Sequence, residues 1–345
     1  DKAIETSLRV RPGPVWIDIP LDIQSKIIDT SLLKSYTPKV VVKNTNIESQ
    51  ILRIYKEINK SQRPVILAGN GIRLSDSFRE FNKLVSKLRI PVTTAFNGHD
   101  VISETSKLYI GRPGTVGDRA GNFTVQNSDL LIVLGSRLNI RQISYNYKSF
   151  ARFSKIIYVD IDKTELCKET VKPFMKVECD LKFFINKMLS SITLLKKDFD
   201  PWIKWCRVRK NKYPVVLDEY SKSKKINPYY FVKIFSKLLK RNSIVVTGNG
   251  TAVVTAFQAF EIRNNLRLWS NSGCAAMGYD LPAAIGASVA NSNKEVFCIT
   301  GDGSIMMNIQ ELQTITGYTL PIKVILLNNL GSVSYTHLRA HETLV

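Results

Sequence analysis

Residues 296–329, VFCITGDGSIMMNIQELQTITGYTLPIKVILLNN, contain the pattern that decides the fold. An apolar run rich in β-branched residues ends at Gly301-Asp302-Gly303-Ser304, and residues 305 to about 317 have a helical pattern. Pro321 then introduces a second apolar run, residues 322–327. This order predicts a strand, a helix and a second strand, with a crossover of the usual length between parallel strands. The carboxyl ends of two adjacent strands would lie side by side, about 5 Å apart.

The same pattern, an apolar run followed by a glycine turn, recurs at three other places in the chain. The runs at 65–68, 131–134 and 244–247 precede Gly69-Asn70-Gly71, Gly135-Ser136-Arg137 and Gly248-Asn249-Gly250. Apolar strands that alternate with helices are typical of parallel sheets covered on both faces. The sequence therefore predicts an α/β protein made of successive doubly wound parallel-sheet domains. In such sheets ligands bind beyond the carboxyl ends of the strands, where these glycine turns lie.

Polar residues at the ends of the two strands predicted in 296–329 suit a metal-bound diphosphate. If the strands are adjacent, Asp302 and Asn329 present their oxygen atoms to one point. One carboxylate with one amide suits Mg²⁺, which takes its other ligands from water and phosphate. Gly303 and Ser304 would open a helix, whose free N–H groups favour a phosphate, and the turn at 248–251 could hold its far side. A plain turn followed by a strand cap is the alternative interpretation.

Two other phosphate-binding patterns are excluded. A dinucleotide-binding fingerprint needs a third glycine three residues after the second, but Val253, Leu74 and Met306 occupy those positions. The pattern GxxxxGK[ST] of the P-loop does not occur in the chain.

The composition excludes a disordered chain and a membrane-spanning one. Of the 345 residues, 44% are hydrophobic, which is enough for a core, and the apolar runs fall far short of the ~20 residues of a membrane span.

The net charge of +20 invites an anionic partner, but the basic residues are spread over the whole chain. Their densest stretch, 204–225, has no recognisable nucleic-acid motif, so we interpret it as solvated linker and surface rather than a nucleic-acid site. We predict no nucleic-acid partner and no membrane partner.

The five cysteines predict a reducing, cytoplasmic location. Their number is odd and no CxxC pair occurs, which argues against a disulfide framework and against a zinc site. They are Cys167, Cys179, Cys206, Cys274 and Cys298.

Changes in composition predict a division of the chain into segments, and we expect the chain to be a fragment. The first segment contains one terminal strand, at 15–19. The tail resembles translated sequencing-adapter sequence, so we expect it not to be native. The predicted segments are the end of a first domain at 1–30, a central Rossmann-like domain at 47–190, a linker at 197–226, a truncated third domain at 227–331 and the tail at 332–345.

Four stretches carry a resemblance to a known family. Gly301-Asp302-Gly303, 24 further residues and then Asn328-Asn329 form the first of them. The others are MNIQEL at 307–312, MGYDLPAAIGA at 277–287 and RPGPVWIDIP at 11–20. The first resembles the thiamine diphosphate motif, and together they are similar to the large subunit of acetolactate synthase and its relatives. The resemblance covers about residues 1–331. It implies a thiamine diphosphate-binding fold for the third domain and identifies 1–30 as the end of the family's pyrimidine-binding domain.

The resemblance implies a role for each residue of these motifs. Asp302 and Asn329 would bind Mg²⁺ through their side chains and Gly331 through its carbonyl. Met277 would lie under the cofactor and hold it bent, with an ordinary core methionine as the alternative. The backbone at Ala275 would accept a hydrogen bond from the aminopyrimidine. The residues implied in cofactor binding are Asn249, Gly250, Thr251, Ala275, Met277, Gly301, Gly303 and Ser304.

In acetolactate synthases the central domain also holds FAD. GRPG at 111–114 and Gly135-Ser136-Arg137 match the family's glycine turns, but the Phe-Asp-Asp-Arg that follows is Leu138-Asn139-Ile140-Arg141 here. The loss of both aspartates leaves FAD binding open. Arg141 could bind a 2-oxo-acid carboxylate through two hydrogen bonds, or be an ordinary surface arginine. His99, in the turn Asn97-Gly98-His99-Asp100, is expected to be exposed or to cap the turn.

The activity implied by the resemblance is that of a thiamine diphosphate- and Mg²⁺-dependent carboligase. It would decarboxylate pyruvate and condense the two-carbon unit with a second 2-oxo acid, in branched-chain amino acid biosynthesis, as a homodimer or tetramer. The family's catalytic glutamate belongs to the first domain and has no counterpart in residues 1–345. We therefore assign no catalytic residue here except Arg141 as a ligand of the substrate carboxylate, and expect the fragment alone to be inactive. A related 2-oxo-acid decarboxylase or lyase and a non-catalytic cofactor-binding remnant remain alternatives.

Overall fold

The computed structural model describes residues 1–8, 11–37, 46–263 and 265–330, which contain two parallel β-sheets flanked by helices. The prediction of an α/β protein with successive doubly wound parallel sheets is confirmed. Gly331, predicted to bind the metal, and the predicted tail at 332–345 lie outside the described residues.

The first segment carries two short helices, α1 (Lys2–Leu8) and α2 (Leu21–Gln24), and a 3₁₀ turn at Thr30–Leu32. The strand predicted at 15–19 is wrong, because this stretch pairs with none of the described strands. Its Trp16 is 90% exposed. A β-branched run becomes a strand only where a neighbour takes up its backbone hydrogen bonds, so the composition of this run was not sufficient.

The first sheet consists of β1 (Pro64–Ala68), β2 (Val92–Thr94), β3 (Tyr109–Gly111), β4 (Leu130–Leu134), β5 (Lys155–Asp160) and β6 (Met175–Glu178). All six strands are parallel, in the order β3-β2-β1-β4-β5-β6. The chain therefore winds outward on one side of β1 and then on the other. The central strands PVILA and LLIVL are buried over their whole length, as their apolar sequences predict.

Helices on both faces of this sheet complete the core of the central domain. In the first of them Ile47, Ile51, Ile54 and Ile58 are buried, at the spacing of three or four residues that marks one face of a helix. The helices are α3 (Ile47–Lys60), α4 (Gly71–Leu74), α5 (Phe78–Leu88), α6 (Arg119–Gln126), α7 (Ile140–Ile143), α8 (Lys163–Cys167) and α9 (Leu181–Ser190), with 3₁₀ turns at Tyr147–Ser149 and Ile192–Leu194.

The predicted linker at 197–226 begins with a packed helix, α10 (Asp200–Lys212), followed by a 3₁₀ turn at Asp218–Lys222. Trp202 and Cys206 are buried in the core of the central domain, and the Trp202 indole N–H donates to the Pro64 carbonyl at 3.0 Å. The interpretation of this stretch as solvated is therefore wrong for α10. Some of its basic residues are exposed, while Lys210 is half-buried and donates to the Tyr109 carbonyl at 3.1 Å. The apolar face of the helix was not recognised among the many charges of the sequence.

The second sheet consists of β7 (Ile244–Thr247), β8 (Arg267–Ser270), β9 (Val296–Gly301) and β10 (Ile322–Leu327). These strands are parallel, in the order β10-β9-β7-β8. The two strands predicted from 296–329 are thus adjacent, with Gly301 paired to Leu327. The helices of this domain are α11 (Pro228–Leu238), α12 (Thr251–Ala259), α13 (Asp280–Ala290), α14 (Asp302–Ile305) and α15 (Glu311–Gly317), and a 3₁₀ turn lies at Met306–Asn308.

The helix predicted over 305–317 is interrupted between α14 and α15. The interruption follows Asn308, whose side-chain amide donates to the Gly278 carbonyl at 2.7 Å. The segment is therefore held against the loop that follows β8, and this tertiary contact overrides the helical pattern of the sequence. No helix among the described residues is long and apolar enough to cross a membrane.

Candidate active site

Four chain segments meet at the carboxyl edge of the second sheet because its strands are parallel. They are the turn 248–251 after β7, the loop 271–279 after β8, the turn 301–304 after β9 and the residues after β10. Every predicted cofactor-binding residue lies on one of these segments, so the topology brings together residues up to 80 positions apart in the chain.

The predicted metal ligands lie at the ends of adjacent strands. Since Gly301 pairs with Leu327, Asp302 and Asn328 are the first residues beyond the paired strands, and Asn329 is the next. Asp302 Oδ1 accepts the Gly303 N–H at 3.0 Å, which orients the carboxylate at the start of α14. One carboxylate and one amide fit a Mg²⁺ ion that takes further ligands from phosphate and water. The described residues contain no cluster of three or more His, Cys, Asp or Glu side chains that would hold a metal without such help.

The turn after β7 presents a helix N-terminus to the same edge. Gly250 has φ +62° and ψ −133°, a conformation that favours glycine, and it directly precedes α12. Among the described residues no side chain caps this helix end, and a Cβ built on Gly250 would meet no atom within 4 Å. The first N–H groups of α12 are therefore not taken up by a capping side chain, which suits an anionic group such as a phosphate.

The loop after β8 is hydrogen-bonded to both neighbouring segments. Asn249 Nδ2 donates to the Ala275 carbonyl at 2.9 Å, and Ala275 has a positive φ of 53°. The Gly278 N–H donates to Ser304 Oγ at 3.0 Å, and Asn308 holds the Gly278 carbonyl from the other side. The Ala275 carbonyl has a second lone pair, so it can accept another hydrogen bond from a ligand.

These bonds fix Met277, which lies half-buried between Ala275 and Gly278. It is not one of the fully buried residues of the core, and its role under a cofactor stays a prediction. The structure thus brings Met277 together with the predicted diphosphate-binding residues.

Two residues of this site were missed from the sequence. Asp280 is completely buried, accepts a hydrogen bond from the Thr300 hydroxyl and accepts the Leu281 N–H at 3.3 Å. Its carboxylate fills the space beside Gly248. Asn308 is the other missed residue. Both are within the quoted runs MGYDLPAAIGA and MNIQEL, but a lone Asp or Asn in such a run does not reveal its partner.

Arg141 does not lie on any of the four segments that meet at the carboxyl edge of the second sheet. It lies in α7 of the central domain, where the Asn139 side chain caps the helix by accepting the Arg141 N–H at 3.1 Å. The Arg141 carbonyl accepts the Thr115 N–H at 2.8 Å. These contacts use only its backbone, so its role as a carboxylate ligand stays a prediction.

A cavity of about 260 Å³ lies between the carboxyl edge of the central sheet and the loop after β8. Gln142 is buried at this cavity and donates through Nε2 to the Pro113 carbonyl at 2.7 Å, and within the described part of the chain its Oε1 has no hydrogen-bond partner. Arg11, Arg137 and Asp160 also line it, and burial raises the pKa of the Asp160 carboxyl. This set of a carboxylate, an unpaired amide oxygen and two cations suits part of a nucleotide.

The prediction that His99 is exposed is wrong, whereas the alternative that it caps the turn agrees with the structure. Its side chain is only 1% exposed, because the turn 97–100 packs against β8 and α12 of the third domain. Nε2 accepts the Asn97 N–H at 3.1 Å and lies 3.3 Å from Ser270 Oγ. Burial, with a further contribution from the nearby Arg112, lowers the pKa of His99 well below 6.5. The imidazole is therefore neutral at pH 7.

Comparison with known families and proteins agrees with this geometry. The profile of the thiamine pyrophosphate enzyme central domain matches residues 51–188, and that of the C-terminal thiamine pyrophosphate-binding domain matches residues 248–339. The chain is 33% identical to the acetolactate synthase large subunit of Lactococcus lactis over 323 residues, which is 92% of this chain and 55% of that protein.

Two further relatives give the same result. The probable acetolactate synthase large subunit of Methanococcus aeolicus is 33% identical over 95% of this chain and 57% of its own length. Acetolactate synthase 3, chloroplastic, of Brassica napus is 35% identical over 92% of this chain and 49% of its own length. The chain thus spans about half the length of these relatives.

Proposed function

Since this chain belongs to the thiamine pyrophosphate enzymes and is similar to acetolactate synthase large subunits, we propose that it is the cofactor-binding part of a carboligase. The proposed enzyme decarboxylates pyruvate and condenses the two-carbon unit with a second 2-oxo acid, in branched-chain amino acid biosynthesis. Bound thiamine diphosphate would supply the electron sink for decarboxylation. The observation that supports this proposal best is the hydrogen-bonded junction of the segments after β7, β8 and β9.

The residues of the chain would act by binding and orienting. The N-terminus of α12 and the Ser304 N–H would offer donors and positive helix ends to a diphosphate, beside Gly303, whose own N–H is donated to Asp302 Oδ1. Asp302 and Asn329 would hold Mg²⁺ against the same diphosphate, with Gly331 as a further ligand, and the ion would balance its negative charge.

Orientation of the organic part of the cofactor would fall to the loop after β8. The Ala275 carbonyl is held by Asn249 and would accept a hydrogen bond from the aminopyrimidine. Met277, fixed through Gly278, would hold the cofactor bent. No residue of this chain is assigned to the transfer of a proton in the reaction. The activity of the whole enzyme is therefore part of the proposal.

FAD fits this chain only in part. The cavity beside Gln142 carries groups that suit a nucleotide, but its volume of about 260 Å³ is below the roughly 300–1,000 Å³ of pockets that enclose drug-sized ligands. A whole FAD is therefore not enclosed by it, and no step of the proposed reaction relies on a flavin.

Assembly and location are also proposals. Apolar side chains exposed on the third domain, including Met306 and Met307, would suit a homodimer or tetramer. All five cysteines are free thiols, which agrees with a cytoplasmic location.

Cofactor titration tests the proposal directly. Thiamine diphosphate with Mg²⁺ should bind the protein, and Asp302→Ala should weaken binding by about 10- to 100-fold or more, because removing even an outer-shell partner of a metal costs that much. Glu295→Gln is the matched control, because Glu295 lies at the opposite edge of the same sheet, paired with Lys323. Equal affinities of Asp302→Ala and the unchanged protein would refute the assignment.

The products that the full-length enzyme containing this chain forms from pyruvate alone then distinguish the candidate reactions. Acetolactate is expected. Acetaldehyde would instead indicate the related decarboxylase, and cofactor binding without turnover of any 2-oxo acid would indicate a non-catalytic chain.

A further inference from the structure

Arg112 of the central domain reaches into the third domain and binds the end of α12. It follows β3 directly and is only 1% exposed. Its guanidinium donates to the carbonyl oxygens of Phe257 at 2.5 Å, Phe260 at 2.7 Å and Ala256 at 3.4 Å. These carbonyls belong to the last turn of α12 and the residue after it.

The chemistry of this contact is specific to arginine. The last carbonyls of a helix have no partner within the helix and carry its negative dipole end. A planar guanidinium offers several donors in a fixed geometry, so one side chain serves the Phe257 and Phe260 carbonyls. It also approaches the Ala256 carbonyl, which already accepts the Phe260 N–H at 3.1 Å. The neutral His99 beside it adds no competing positive charge. The buried cation is thus matched by the helix end that it binds.

Arg112 is itself held in place. The Asp118 carboxylate accepts the Arg112 backbone N–H at 2.5 Å and the Gly121 N–H at 2.6 Å. The Arg112 carbonyl accepts the Asp118 N–H at 2.9 Å. The guanidinium therefore extends from a fixed point of the central domain.

The opposite end of α12 is the proposed diphosphate-binding end. The helix has nine residues and is about 13 Å long. Because a helix this short moves as one unit, its C-terminal turn and Gly250 keep the same relative position. Further contacts fix the same half of the helix, since Phe257 stacks on Phe96 with ring centroids 3.7 Å apart and Gln258 Nε2 donates to the Val116 carbonyl at 2.6 Å. Any tilt of the C-terminal turn would move the N–H groups at the other end.

We propose that Arg112 is a positioning residue, which sets from the central domain the direction in which the N-terminus of α12 meets a diphosphate. The proposal rests on the proposed binding of thiamine diphosphate. It goes beyond that function because the affinity of the third domain for its cofactor would depend on a side chain of the central domain. In this proposal Arg112 acts through α12 and not by contact with the cofactor.

The test measures binding of thiamine diphosphate and of inorganic pyrophosphate, each with Mg²⁺, to the full chain. Arg112→Met should weaken both affinities by a similar factor of about ten or more, because it removes the charged hydrogen bonds that fix the C-terminal turn of α12. The affinities of Arg112→Lys should lie between those of Arg112→Met and of the unchanged protein, because an ammonium keeps the charge but not the planar set of donors. Equal losses for the two ligands would place the defect at the diphosphate-binding end, and the unfolding measurements below separate it from a general loss of stability.

Glu104→Gln is the matched control at the same junction. It removes the ion pair of Glu104 with Lys210 at 2.7 Å, which touches none of the four segments at the site. Both affinities should stay unchanged in this variant. Circular dichroism and urea unfolding of each variant establish that it is folded.

The outcomes separate the two proposals. If the unchanged protein binds neither ligand, the proposed function fails. If it binds both, and a folded Arg112→Met variant binds them equally well, the positioning role is overturned while the proposed function stands. Should Arg112→Met not fold, Arg112→Lys decides in the same way, because unaltered affinities there would show that the planar set of donors is not needed.

Discussion

The carboxylate of Asp280 occupies the space into which a side chain on Gly248 would extend. Gly248 follows β7 and its N–H donates to the Ile299 carbonyl at 2.9 Å, so the turn lies close against β9. Asp280 is completely buried and also binds the Thr300 hydroxyl. This carboxylate therefore lies between the turn that precedes α12 and β9, the strand that directly precedes Asp302.

Gly248→Ala should destabilise the protein and weaken cofactor binding. Its Cβ would collide with the Asp280 carboxylate, which has no room to move, and overpacking of this kind typically costs about 1–3 kcal/mol. Urea unfolding measures the free energy, and titration with thiamine diphosphate measures the effect on the site.

Gly286→Ala is the matched control for this prediction. Gly286 lies inside α13, a Cβ there would meet no atom within 4 Å, and its φ is not positive. The same substitution should stabilise the protein by about 0.5–1 kcal/mol, because alanine restricts the unfolded chain. Equal effects at 248 and 286 would contradict the proposed role of the Asp280 carboxylate.

A second prediction concerns pH and His99. The pKa of His99 is lowered in the folded protein, so the unfolded chain binds a proton near pH 6.5 that the folded chain does not take up. Stability should therefore fall as the pH drops below about 6.5, by up to about 1.4 kcal/mol per pH unit. Protonation would also remove the acceptor of the Asn97 N–H beside the charged Arg112.

The measurement is urea unfolding between pH 7.5 and 5.5 for the unchanged protein and for His99→Gln. The raised pKa of Asp160 contributes in the opposite direction, but it is common to both proteins and cancels in their difference. The loss of stability at low pH should be clearly smaller in His99→Gln. Parallel pH curves for the two proteins would show that His99 titrates normally.

Most of the strands, and the residues that follow them at the site, could be predicted from the sequence because each depends on a local pattern. β4 is an unbroken apolar run, and Asp302 and Asn329 each lie two residues after the apolar run of their strand. What could not be predicted depends on partners far away in the chain. His99 is buried by residues more than 150 positions later, and Arg112 binds carbonyls about 145 positions later. A turn containing histidine looks the same in the sequence whether or not another domain covers it.

The last prediction concerns Asp100, which joins the two domains one residue after His99. Its side chain is 2% exposed and accepts the Arg267 Nε–H at 2.6 Å and the Arg73 Nε–H at 3.2 Å. Asp100→Asn would leave both arginines without their carboxylate, and because Arg267 is 41% exposed the cost should be about 1–3 kcal/mol, less than for a fully buried pair. Because Arg267 begins β8, the variant should also weaken thiamine diphosphate binding. Asp76→Asn is the control, since Asp76 is 96% exposed in its pair with Lys182 and should not change the urea midpoint measurably. If both variants unfold at the midpoint of the unchanged protein, the contact of Asp100 with the two arginines contributes little to stability. The carboxyl edge of the second sheet would then be positioned by the third domain alone.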